Sequence, residues 1–141
     1  MQRLSSAVIL FTILLAVTPA PCKTSHKPAP FEIDRPTVIA FFPSEAKTEG
    51  KETDANDSLS DFQLYAASAR QHLSGNIAFQ VVYTRSFQVA LDGRLITFRP
   101  PRAEPGYYFA MPGKKPRVEY GVMSDEDIER IAQEYFGNAM K

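Results

Sequence analysis

Cysteine is almost missing from this sequence: Cys22 is the only one among 141 residues. A single thiol cannot close a disulfide within the chain. An excess of charge is missing too, because Lys+Arg and Asp+Glu both number 16 and the formal net charge is zero. Phosphate backbones are gripped by a basic surplus, so nucleic acid is not expected as a partner. Histidine is scarce, with His26 and His72 in different segments, so a two-histidine metal site is not expected and no cofactor is implied. Neither G-x-S-x-G nor H-E-x-x-H occurs. The serines, histidines and aspartates show no spacing that assembles them. Non-enzymatic binding is therefore the expected mode of action.

A long apolar span is also lacking. The run at 7–17 (AVILFTILLAV) falls short of the about 20 residues that a membrane helix needs. It follows Arg3 and precedes small residues at Thr18-Pro19-Ala20 and Ala20-Pro21-Cys22. That order predicts a signal peptide over 1–22, cleaved between Ala20 and Lys23. The expected product is periplasmic or secreted, with no membrane span. Lipoprotein signals resemble one another in placing Gly, Ala or Ser before the modified cysteine. Pro21 stands there instead, so a lipid anchor on Cys22 is the less favoured reading beside a cleaved or flexible tail residue.

What remains reads as one domain over 37–141, preceded by a tether over 23–36 that carries Pro28, Pro30 and Pro36. Residues 37–42 (TVIAFF) form a short apolar run that suits a strand buried on both faces. The charged stretch 45–56 (EAKTEGKETDAN) reads as a solvated loop. Phe62, Tyr65, Ala66, Ala69 and Leu73 share one helical face, with Ser58 or Ser60 able to cap its start and Gly75 suited to a left-handed residue after its end. Residues 77–84 (IAFQVVYT) are a strand by their β-branched and aromatic content, which completes a βαβ unit.

The segment 86–100 has two readings. Asp92-Gly93 between apolar runs signals a hairpin, whereas a short helix over 86–91 is the rival; the β-branched second run favours the hairpin. A second hairpin is expected from 106–111 (GYYFAM) and 116–120 (PRVEY) around Pro112-Gly113-Lys114. Ser124 and Asp127 make an S-x-x-D capping box for a last helix. Its buried stripe is Ile128, Ile131, Ala132 and Tyr135, and Gly137 closes it. The acids Asp125, Glu126 and Asp127 complement the helix's positive end better than they suggest a metal site.

The order Pro105, apolar strand, Gly113, strand with Val118, Gly121, helix from Ser124 resembles the second half of the thioredoxin fold. The βαβ unit resembles its first half. The resemblance implies an α/β, thioredoxin-like three-layer sandwich: a central mixed β-sheet with flanking helices. Over 86–100 that family usually has a helix. Its redox members carry C-x-x-C after the first strand, where two thiols exchange with a substrate disulfide. Here that stretch, Pro43 to Glu49, holds no cysteine. The resemblance therefore implies a non-catalytic member that docks a protein or extended peptide. The expected edge is formed by Glu104, Pro105 and Gly106 beside Phe42 and Pro43, with a cis Glu104–Pro105 bond. A plain turn at Pro105-Gly106 is the alternative. Two other roles fit the sequence: an accessory to a thiol–disulfide enzyme through Cys22, or a structural envelope protein.

Overall fold

Thr37–Phe41 (β2) is buried at every residue. Its side chains alternate between two separate cores. Val38, Ala40 and the following Phe42 join one cluster, while Ile39 and Phe41 join the other. Both faces of a strand are covered only if layers lie on each side. The chain is a computed structural model, and it describes residues 27–43, 52–73 and 75–140. The segment expected to be a signal peptide, with Cys22, lies outside them.

Two mixed sheets form the centre. β2, Ala78–Val82 (β3), Gly106–Ala110 (β6) and Arg117–Tyr120 (β7) make a four-stranded sheet in the order β3-β2-β6-β7. β2 and β3 are parallel, Val38 facing Phe79. β6 runs antiparallel to both β2 and β7, with Phe41 opposite Gly106. The second sheet holds Phe31–Glu32 (β1), Phe87–Leu91 (β4) and Arg94–Phe98 (β5), in the order β1-β4-β5.

Glu52–His72 (α1) and Asp125–Phe136 (α2) cover the first face of the four-stranded sheet. Phe62, Ala66 and Ala69 from α1, with Leu73 just after it, meet Ile128, Ile131, Ala132, Tyr135 and Phe136 from α2, over Val38, Tyr107 and Phe109. The other face packs against the second sheet through Ile39, Phe41, Tyr108 and Ala110. Rings dominate there. Phe98 lies 5.0 Å from Tyr108, 5.1 Å from Phe87 and 5.2 Å from Phe41, centroid to centroid. Such pairs contribute about 0.5–1.5 kcal/mol each beyond their burial. A short 3-10 turn, Gly137–Met140, ends the described chain.

The chain is thus mixed α/β, as expected, and both hairpins form. Asp92 and Gly93 take φ of 51° and 73° in the β4–β5 turn, the paired left-handed conformation that such tight hairpin turns need. Ser124 caps α2, accepting from the Asp127 N–H at 3.3 Å, and Gly137 follows it at φ 54°.

Four expectations are corrected. Helices flank only one face of the central sheet; the other carries the β1-β4-β5 sheet, because the 86–100 segment pairs with itself as a hairpin. α1 starts at Glu52, not at Ser58 or Ser60, so 52–56 of the expected loop is helical. Charged, alanine-bearing sequence is as compatible with a solvated helix as with a loop. α1 ends at His72, so Gly75 stands three residues past the helix and not directly after its end. The tether's last part is folded: Phe31 and Glu32 pair in parallel with Val89 and Ala90, and Ile33 is buried in the second core.

Candidate functional site

The residues expected to bind a peptide do converge on one end of the central sheet. Phe41 faces Gly106, so Phe42 and Pro105 flank that pair at the same end. They do not make an open edge. Phe42 and Pro43 are buried, and Glu104 and Pro105 are half-buried. β2 and β6 are interior strands with neighbours on both sides. The Pro105 carbonyl accepts from the Gly121 N–H at 2.7 Å, and the Phe42 N–H donates to Val82 at 2.9 Å.

The Glu104–Pro105 bond is trans, since no cis peptide occurs among the described residues. The expected cis proline is therefore corrected: Pro105 is held by its carbonyl bond to the exit of β7, as a turn entering a strand. Gly106 is small for an internal reason. A Cβ there would overlap the Glu119 carbonyl oxygen and sit 2.7 Å from Phe41 Cζ. The close backbone belongs to β7, not to a ligand.

A polar cluster that the sequence did not reveal lies between the helices. Ser68 and His72 are one turn apart on α1, and Asp125 and Glu129 are one turn apart on α2. Ser68 Oγ donates to Asp125 Oδ2. His72 Nδ1 lies 3.1 Å from Glu129 and 3.9 Å from Asp125. The Ser68 hydroxyl, ahead of the other contacts, holds the Asp125 carboxyl below its ordinary range. Serine, histidine and aspartate thus meet, contrary to the expectation from spacing. The i, i+4 pair on α1 was the available signal. However, the serine gives its hydrogen bond to the carboxylate, not to the imidazole. A nucleophile relay needs the base on the hydroxyl. This geometry ties α1 to α2.

Among the described residues, backbone groups that face away from the sheet lie along β3. In its parallel ladder Ala78 donates to Pro36 and Val82 accepts from Phe42. Residues 78, 80 and 82 therefore face β2, and the N–H and C=O groups of Phe79 and Val81 point out of the sheet. β3 is the terminal strand there. Edges of this kind are normally defended by charge, proline or extreme shortness. β1 has two residues, β5 opens on Arg94, and β7 carries Arg117 and Glu119. β3, reading AFQVV, has no such device.

Depressions flank this edge on the α1 side. One of about 660 Å³ lies among Gln63, Ala66, Ala67, Arg70, Val81 and Tyr83. Another of about 240 Å³ lies among Arg35, Arg70, Leu73, Ile77 and Phe79. Tyr83 is 51% exposed, although its hydroxyl accepts from Gln63 at 3.3 Å. On the other face a cavity of about 370 Å³ opens among Lys27, Phe31, Val82 and Phe87. Two hydrogen bonds lie on its wall: Gln88 donates to Thr97 at 3.2 Å, and Ser86 N–H to Thr84 at 3.4 Å.

Among the described residues no cluster of three or more histidine, cysteine or acidic groups is arranged to hold a metal ion. No helix among them is long and apolar enough to cross a membrane. No protein-family model matches the chain, no curated protein is significantly similar to it, and no solved structure matches its fold.

Proposed function

We propose that this chain is an exported, non-catalytic binding domain with a thioredoxin-like arrangement, and that it captures an extended segment of a protein partner by strand addition at β3. The strand order β3-β2-β6-β7, with two helices on one face, supports the thioredoxin-like reading. The carrying observation is the undefended β3 edge, with the outward backbone groups of Phe79 and Val81. Strand addition draws its affinity from main-chain hydrogen bonds and its selectivity from alternate side chains. It needs neither a thiol nor a metal.

The test uses a photo-crosslinking amino acid in place of the exposed Gln80, in the exporting cell. The expected result is a protein adduct that is lost in Val81→Pro. Proline removes an outward N–H without breaking the ladder to β2, and edges tolerate it. An adduct that persists in the folded proline variant, or no adduct at all, overturns the reading.

A further inference from the structure

The β3 edge also carries information about the sign of its ligand. Arg70 lines both depressions on the α1 side, and Arg35 lines the one nearer the start of β3. Both residues are exposed. Neither forms an ion pair with any described residue, whereas Arg117 and Arg130 are each held by two carboxylates. No acidic residue among the described ones lines either depression. Among the described residues the charge on these depressions is therefore positive, in a chain whose total charge is zero.

A strand laid beside β3 presents alternate side chains to opposite faces. Phe79 and Val81 pack toward the helices, and Val82 toward the second core. One face of the added strand thus meets the groove over Ala66 and Ala67, with the guanidinium of Arg70 between the two depressions. The small alanines leave room there for side chains. The opposite face meets the apolar cavity beside Phe31, Val82 and Phe87.

A second copy of the chain fits this edge poorly. Two-fold pairing of β3 with β3 brings the same patch of both subunits together. It would set Arg70 near the same arginine of the second copy, and like charges across strands are destabilising.

We infer that the β3 edge, flanked by Arg35 and Arg70, selects an acidic extended segment, with carboxylates alternating with apolar residues. This inference rests on the strand-addition reading. The two part company in the following experiment. The protein is titrated with a capped eight-residue peptide alternating glutamate and valine, and with two controls in which glutamine or lysine replaces glutamate. Affinity is read by calorimetry, and docking by exchange protection of the Phe79 and Val81 amides.

The glutamate peptide is expected to bind roughly tenfold or more tightly than the glutamine peptide, with the advantage erased by high salt. Arg70→Ala should remove most of it. Arg70→Glu should turn the preference toward the lysine peptide, a reversal that simple misfolding cannot produce. Equal binding of the glutamate and glutamine peptides, with both amides protected, overturns the acidic selectivity and leaves strand addition standing. No protection by any peptide overturns both. A concentration-dependent dimer that protects these amides without peptide assigns the edge to a second copy and also overturns the proposal.

Discussion

Asp92 accepts from the Gly113 N–H through both carboxylate oxygens, each at 3.0 Å. The contact ties the β4–β5 turn of one sheet to the β6–β7 turn of the other. Asp92 also holds a φ of 51°, which aspartate tolerates better than most residues. Asp92→Ala is expected to lose about 1–2 kcal/mol, from the bond and the backbone conformation together. Asp92→Asn keeps an acceptor and the turn preference, so it should lose less. Chemical denaturation of both variants checks the order, and equal losses would dissociate the carboxylate from the effect.

Gly106→Ala is expected to be far more damaging than its size suggests. The added carbon meets the Glu119 carbonyl, a backbone atom that cannot rotate away. Overpacking costs about 1–3 kcal/mol, and more where backbone must shift. The variant should unfold at clearly lower denaturant. An unchanged midpoint would mean that β6 and β7 are not so closely spaced.

Ile128 is fully buried between α2 and the sheet. Ile128→Ala should cost on the order of 2–5 kcal/mol, and the exposed neighbour Glu126 far less. Stability of the alanine variant within about 0.5 kcal/mol of the parent would contradict the packing of α2.

Tyr107 supplies a pH dependence. Burial pushes its phenol from the ordinary 10 up to about 12, against a smaller opposite effect from its bond to Met123. In the unfolded chain the phenol ionises near 10, while the folded chain keeps its proton. The unfolded state therefore holds fewer protons between pH 10 and 12, and stability falls as pH rises through that window. Tyr107→Phe should flatten this part of the profile. It should also leave the Met123 N–H and carbonyl, each 3.4 Å from the hydroxyl, without that partner. Identical slopes for parent and variant above pH 10 would refute the assignment.

Local chemistry made much of this fold readable in advance. The unbroken apolar run of β2, the Asp92-Gly93 turn, and Ser124 before its acidic turn each encode structure within a few residues. What escaped depends on distant partners. A strand as short as Phe31–Glu32 has no periodicity, and only its pairing with Val89 and Ala90 reveals it. The role of Pro105 is not legible locally because Gly121 sets it and not its neighbours in sequence. The β3 edge was invisible for the same reason. Periodicity marks a strand, but strand order decides which strand has no neighbour.

The alternation along β2 has a further consequence for how the chain tolerates error. Ile39 and Phe41 fill one core while Val38, Ala40 and Phe42 fill the other. A slip of one residue exchanges these sets. In a sheet with one wet face, such a slip exposes apolar groups to water. Here it would instead drive the Phe41 ring into the space shaped for Ala40, and put the small Ala40 where Ile39 fills the other core. The penalty is steric on both sides at once, so misregistered pairings of β2 are rejected by shape even though every residue involved is apolar.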